Sequence, residues 1–332
     1  MRLRVATFNL ENFDEPRREG VSLDERIAVL RPQLIALHAD ILCLQEVSAH
    51  ARFGGRHPLR ALDRLLEGTQ YAAFARATSH VASGGPADVH NLVVLSRLPI
   101  IYEQQHAHDL VEPPIVQLTT TPQPRQEHVR WDRPVLEVRL GLPDGRPLVV
   151  FDVHLRAPLA ANIEGQKLAP QVWRTTDGWA EGYLLAAIKR VGQALELRRH
   201  IDRIFDDDDH ARVLVAGDLN AGVTDSAFRI LRADIEDTGN PALAGRSLIP
   251  LEERIAEARR YTVVHRGRRL MLDHLLASAS LASCYVDAAI FNDELPDEYE
   301  LGIAGIDPVG SLHAPLVAEL DLSVDEHVAG EL

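Results

Sequence analysis

The sequence predicts an α/β fold organised as one domain. Short, almost wholly apolar runs recur along the chain and read as strands buried on both faces, Val213–Ala216 being the clearest. Stretches with apolar residues at every third or fourth position separate them and read as amphipathic helices. No internal repeat or low-complexity linker divides the 332 residues. One domain over 1–322, followed by a frayed polar tail at 323–332, is therefore expected.

In chain order, Leu3–Leu10 is a strand that runs directly into the polar pair Glu11-Asn12. Leu23–His38 is helical, with Ile27, Leu30, Leu34 and Leu37 on one side, and Pro32 should kink it or begin a new turn. Ile41–Glu46 is a second buried strand. A helix over Leu59–Leu66, a strand over Tyr71–Ala77 and a third apolar strand at Asn91–Ser96 follow. Val111–Glu127, with its prolines and repeated Thr and Gln, reads as a long surface loop.

Val135–Leu140 and Leu148–His154 are two strands joined through Pro143-Asp144-Gly145. Arg156–Gly182 is a second insertion carrying Trp173 and Trp179. Tyr183–Phe205 is a long helix with Leu184, Ile188, Val191, Leu195 and Ile201 along one side. The acidic run Asp206–Asp209 reads as a solvated loop. Beyond the strand ending at Asn220, Ser226–Ala233 is helical, Tyr261–Val264 and Leu270–Leu276 pair around Gly267, and Leu316–Leu320 is the last strand.

The formal net charge of −14 argues against tight nonspecific binding to long DNA, where basic surface supplies most of the affinity. It leaves phosphodiester cleavage open, because a bound cation can supply positive charge locally. Cys43 and Cys284 lie in apolar surroundings and form no disulfide framework. Met1–Phe8 lacks the apolar core of a signal peptide. No apolar run approaches the roughly 20 residues of a membrane span. A cytoplasmic monomer is the expectation.

Several strands end in a polar residue: Asn9, Glu46, His154, Asp218 with Asn220, and Asp273, while His313 precedes a strand. Asp218 and Asn220 stand at i and i+2 and project to one side; an Asx turn at a strand exit would show the same pattern. Polar groups at strand ends converge where α/β folds place ligands. Carboxylates with carboxamide oxygens suit Mg²⁺ or Mn²⁺, and histidines beside them suit a phosphoryl oxygen. Arg133 and Arg156 are candidate phosphate binders, whereas Arg97 reads as a structural ion pair. His106, His108, His265, Trp173 and Trp179 carry no assignment.

These segments resemble the endonuclease/exonuclease/phosphatase superfamily of DNase I-like proteins. The pieces that carry the resemblance are Thr7-Phe8-Asn9-Leu10, Leu44-Gln45-Glu46-Val47, Leu95-Ser96-Arg97-Leu98-Pro99-Ile100, Val153-His154-Leu155, Gly217-Asp218-Leu219-Asn220, Leu272-Asp273-His274 and Ser311-Leu312-His313-Ala314-Pro315. They stand in the family's order from Val5 to Pro315. The resemblance implies a four-layer α/β/β/α sandwich, two mixed β-sheets face to face with helices outside. It also implies Mg²⁺- or Mn²⁺-dependent hydrolysis of phosphodiester or phosphomonoester bonds. Glu46 is similar to the principal metal ligand, with Asn9 beside it. Asp218 matches the residue that positions or deprotonates the attacking water, and Asn220 the one that holds nucleophile and phosphate. His154 resembles a donor to a phosphate oxygen, and Asp273 one that orients His313 on the phosphoryl group.

One position departs from the pattern, since Leu312 stands where the family usually has Asp. A metal held by fewer protein ligands, a nearby acid such as Asp307 in its place, or weakened activity are the alternatives. The last would leave an inactive binding module. The two insertions flank the strand ending in His154 and are placed to form a substrate rim. A short nucleic acid or a small phosphodiester is the expected substrate.

Overall fold

The computed structural model describes residues 1–14, 20–49, 59–82 and 84–323. The apolar runs associate as two mixed sheets of six strands each. From edge to edge the first sheet runs Tyr285–Ile290, Leu316–Asp321, Arg2–Phe13, Ile41–Val47, Asn91–Ser96 and Ala75–Thr78. Arg2–Phe13 pairs parallel with Ile41–Val47 and antiparallel with Leu316–Asp321. The second sheet runs Ile249–Pro250, Asp273–Ala277, Arg212–Asp218, Leu148–His154, Val135–Leu140 and Ile100–His106. Arg212–Asp218 is parallel to Leu148–His154 and antiparallel to Asp273–Ala277.

Successive side chains on a strand face opposite ways, so a strand apolar throughout needs cover on both faces. One set here forms the layer between the sheets, where Val5, Ile41 and Val94 pack with Val138, Val150, Leu214 and Leu275. The alternate set faces outward. Ala6, Phe8, Leu42 and Leu44 lie against Leu30 and Leu34 of the helix Leu23–Leu37. Val149, Phe151, Val213 and Val215 lie against Leu197, Ile201 and Phe205 of the helix Thr176–Asp207. The result is the expected four-layer α/β/β/α sandwich, with both sheets open. At about 1.5–3 kcal/mol for each fully buried Val, Leu or Phe, these three layers dominate folding.

Several local expectations change. Tyr71–Ala77 is not one strand: a 3₁₀ turn covers Gln70–Ala73 and only Ala75–Thr78 is extended. The Tyr71 hydroxyl accepts the Ala39 N–H at 3.1 Å and donates to the Leu34 carbonyl at 2.9 Å, so this residue anchors a turn. Val111–Glu127 is no simple loop, since Ile115–Leu118 pairs with Arg125–His128 while its prolines lie outside the paired residues. The second insertion holds a small hairpin, Lys167–Ala169 with Val172–Trp173, and then enters the long helix at Thr176. The Thr175 hydroxyl caps that helix by accepting the Gly178 N–H at 3.0 Å. Trp179 is therefore helical, and Asp206 and Asp207 belong to the helix end.

Pro32 sits on the exposed face of its helix without ending it. Leu270–Leu276 divides: Arg268–Leu270 forms a hairpin with Val263–His265, and Asp273–Ala277 joins the second sheet. Ile100–His106 and Tyr285–Ile290 are additional strands at or near sheet edges, too exposed to carry an apolar run. Arg97 pairs with Asp40 at 2.6 Å, and both cysteines are buried thiols, as anticipated. No helix among the described residues is long and apolar enough to cross a membrane. The tail beyond Ser323 lies outside the described residues.

Candidate active site

Strand register brings the polar strand ends together. In the second sheet Asp218 lies directly between His154 on the parallel neighbour and Asp273 on the antiparallel one. In the first sheet the parallel strands Arg2–Phe13 and Ile41–Val47 pair Asn9 with Gln45, which puts Glu46 one position beyond that pairing. At this rim the Asn9 amide joins the two sheets: its Nδ2 donates to Glu46 Oε1 at 3.2 Å and to Asp218 Oδ2 at 3.1 Å. Gly217 makes the second-sheet half possible. Its φ is +143°, and a Cβ there would lie 2.0 Å from the Val153 carbonyl oxygen on the adjoining strand.

Left-handed backbone at ordinary residues clusters at this end, at Glu11, Asn12, Glu46 and Asn220, with φ between 47° and 58°. Local hydrogen bonds hold each of these residues. Glu46 Oε2 accepts the Asn12 N–H at 2.8 Å, Asp218 Oδ1 accepts the Asn220 N–H at 2.8 Å, and Asn9 Oδ1 accepts the Glu11 N–H at 2.9 Å. The last bond fixes how the Asn9 amide is turned. Its N–H₂, not its oxygen, faces the carboxylates, so Asn9 as oriented is a bridging donor beside Glu46. Asn220 Nδ2 donates to Asp218 Oδ2 and to the Leu155 carbonyl, both at 3.1 Å.

His313 reaches the cluster from the loop before the last strand. Its Nδ1 lies 2.8 Å from Asp273 Oδ2, and its Nε2 points toward Asp218 Oδ2 at 3.9 Å. Ser311 seats that loop by donating to the Asn9 carbonyl at 2.7 Å while accepting the His313 N–H at 2.9 Å. Buried Arg26 adds a clamp, donating to the carbonyls of Leu10 (2.8 Å), Asn12 (3.2 Å) and Gly310 (3.2 Å). The neighbouring His274 pairs with Glu252 instead, its Nδ1 2.6 Å from Oε1.

Burial and crowding polarise these groups. Burial, with the Asp273 charge added, pushes the Asp218 carboxyl up to about 7. Burial also raises Glu11, and Glu46 reinforces it. His154 is driven well below the usual imidazole range by burial and by the charges of Arg133 and His90. Burial pulls His313 the same way, but the charges of Asp273 and Asp218 outweigh it and hold the ring well above that range. At neutral pH His313 is a cation and His154 is neutral, its Nε2 at 3.6 Å from Glu46 and 3.5 Å from Asp218.

Arg133 and Arg156 stand at the border. Arg133 Nη2 donates to His90 Nδ1 at 2.6 Å, and His90 in turn stacks on His154 with ring centroids 6.0 Å apart. Arg133 Nη1 is buried without a hydrogen-bond partner. Arg156 pairs with Asp132 at 3.4 Å and donates to the Leu159 carbonyl at 3.3 Å.

Leu312 is half-buried and brings no acid, and Asp307 is exposed near Gly20. Glu11 is the additional acid, close enough to Glu46 and His313 for both charges to act on it. Sequence reasoning missed Glu11, Arg26 and His90. Glu11 was visible as a polar residue continuing a strand end, and Arg26 as a charge on an apolar helix face. His90 carried no signal.

The donor set fits a hard divalent cation. Two groups, Glu46 with His90 and His154, and Asp218 with Asp273 and His313, each hold ligand atoms within 4.8 Å of one another. Buried Asp273 Oδ1 has no partner. Carboxylates outnumber the cationic histidine they surround, and carboxylate oxygen is the ligand such ions prefer.

The match to known proteins covers nearly the whole chain. The model of the endonuclease/exonuclease/phosphatase family matches residues 6–293. No curated protein matches the sequence. Among solved structures, the fold is similar to a mannosyl-6-phosphatase of Bacteroides thetaiotaomicron at 14% identity and a TM-score of 0.58, covering 96% of this chain and 99% of that one. It is similar to the 3′ phosphatase NExo from Neisseria, bound to product DNA hairpin, at 17% identity, TM-score 0.53, and 96% and 99% coverage. An endonuclease/exonuclease/phosphatase from Beutenbergia cavernae aligns at 19% identity and TM-score 0.56 over 97% of this chain and 72% of that one. Motif order, the facing sheets and the family match together make this chain a member of the endonuclease/exonuclease/phosphatase family.

Proposed function

We propose that the protein is a divalent-metal-dependent phosphoesterase using Mg²⁺ or Mn²⁺. The observation that carries this reading is the Asn9 amide joining Glu46 of one sheet to Asp218 of the other, with Asp273–His313 at hydrogen-bond distance beside them. Glu46 is the principal carboxylate for the cation, with Asp273 and Glu11 as the next available oxygens. Asn9 sets the spacing of the two sheets' acids. Bound there, the cation supplies Lewis-acid stabilisation of phosphoryl and leaving-group oxygens.

Asp218, poised near neutrality, holds the attacking water and takes its proton. Asn220 keeps the Asp218 carboxylate turned toward that water. His313, cationic through Asp273, donates to a phosphoryl oxygen. His154 stays neutral and fills the floor between the acids. Arg133, with a buried unpartnered N–H, is placed for a phosphate oxygen, and Arg156 for a more distal one. The net charge of −14 favours a short nucleic acid or small phosphoester. The likeness to both a sugar-phosphate phosphatase and a DNA 3′ phosphatase is compatible with either.

The test is turnover of bis-p-nitrophenyl phosphate, p-nitrophenyl phosphate and short oligonucleotides with Mg²⁺, Mn²⁺ or EDTA. Metal-dependent hydrolysis is expected, and raised metal should partly rescue Glu46→Ala. Silence on every phosphoester with both metals would sink the proposal.

A further inference from the structure

A second cluster of metal-type ligands lies outside this site, where the edge strand Ile100–His106 of the second sheet meets the helix Thr176–Asp207. His106 ends the strand, Asp109 follows in the loop, and His200 faces them from the helix. One nitrogen of each histidine and a carboxylate oxygen of Asp109 lie within 4.8 Å of one another. His106 Nδ1 is 2.7 Å from Asp109 Oδ2, and His200 Nε2 is 3.9 Å from the same oxygen. The two rings are tilted against each other, with 31° between their planes and centroids 3.8 Å apart.

From this arrangement we infer a zinc-class transition-metal site at His106, Asp109 and His200, distinct from the phosphoesterase centre. Donors about 2.0–2.1 Å from a tetrahedral ion stand roughly 3.3 Å apart, so small side-chain rotations close the set. His200 Nε2 is buried with no hydrogen-bond partner, an uncompensated ligand atom aimed at Asp109. The outer arrangement is already built. His106 Nε2 meets Glu137 Oε2 at 2.8 Å, and Arg139 donates to that residue's other oxygen at 2.7 Å. A carboxylate behind a ligating imidazole is how metal-bound histidines are oriented.

The loop carrying Asp109 is held in place too. The buried Glu196 carboxylate accepts the backbone N–H groups of His108, Asp109 and Leu110 and the Trp131 indole N–H. Asp109 is half-exposed, which leaves the fourth position to water. Two imidazoles and a carboxylate suit zinc or cobalt better than magnesium. Binding displaces the proton between His106 Nδ1 and Asp109. The ion would tie the outermost strand of one sheet to the helix that covers it.

The experiment strips the full-length protein with EDTA and titrates Co²⁺ and Zn²⁺ in excess Mg²⁺, which imidazole ligands do not favour. One equivalent of Co²⁺ with the intense visible bands of four-coordinate geometry is expected, and Zn²⁺ should raise the melting temperature. His200→Ala and Asp109→Asn should each weaken that equivalent at least tenfold and abolish the Zn²⁺ shift. Their metal-free melting temperatures and their Mg²⁺-dependent activity should stay close to native. Asp109→Asn, on the loop, keeps the test valid where His200→Ala disturbs packing. Only six-coordinate Co²⁺ spectra, or undiminished binding by a folded Asp109→Asn protein, would overturn the assignment.

Discussion

Asp218→Asn tests the electrostatic account of the site through stability, without relying on turnover. The Asp218 carboxyl is raised from 3.8 to about 7 because burial and Asp273 disfavour its charge. An acid whose folded value exceeds its unfolded value holds its proton more tightly when folded. Its contribution is therefore fully present below the unfolded value and lost as pH climbs through about 7. At about 1.36 kcal/mol for each tenfold change, the interval from 3.8 to about 7 amounts to roughly 4 kcal/mol.

Asparagine removes this charge but carries its own cost. An N–H₂ in place of Oδ2 would face the Asn9 and Asn220 amides, both 3.1 Å away and both donors. That mismatch costs about 1–3 kcal/mol. The two effects give a reversal of sign. In EDTA the variant should be less stable than the native chain near pH 4 by about 2 kcal/mol, and more stable near pH 8 by about the same amount. Urea unfolding midpoints across that range read the difference directly. A native chain that remains the more stable one at pH 8 would refute the reasoning. The same substitution should lower kcat by about 10²–10⁴-fold, and added Mg²⁺ should not restore it.

Two further outcomes follow from the geometry. Gly217→Ala should cost about 3 kcal/mol or more, because a Cβ 2.0 Å from the Val153 carbonyl must part the two strands that carry Asp218 and His154; a native urea midpoint would contradict this. Asp273→Asn removes the charge that holds His313 up, so the proton on His313 should be lost at lower pH, and the alkaline limb of kcat/KM should move down with it. Histidine NMR titration checks the shift independently of activity.

The strands that build both sheets were legible wherever they are buried on two faces, since such strands must be apolar throughout. Val213–Ala216, Ile41–Leu44 and Asn91–Ser96 announced themselves in this way. The polar residue closing each run was equally plain, because a carboxylate directly after buried apolar residues must reach a partner, a cation or water to offset its desolvation. Ile100–His106 and Tyr285–Ile290 escaped notice because exposed strands need no apolar pattern, and the hairpin Ile115–Leu118 with Arg125–His128 because its flanking prolines resemble a loop.

What only the tertiary structure decided is which of these groups face one another. Asn9 and Asp218 are 209 positions apart, and their contact exists because two sheets stack with the same strand ends at one rim. Glu11, His90 and Arg26 joined the site through positive backbone angles, ring stacking and carbonyl clamping, none of which leaves a trace in residue spacing. The orientation of the Asn9 amide is likewise set by a backbone N–H two residues away. Local sequence encodes burial and turn chemistry; the shifted protonation of this rim arises only when like charges from distant segments are forced into one dry space.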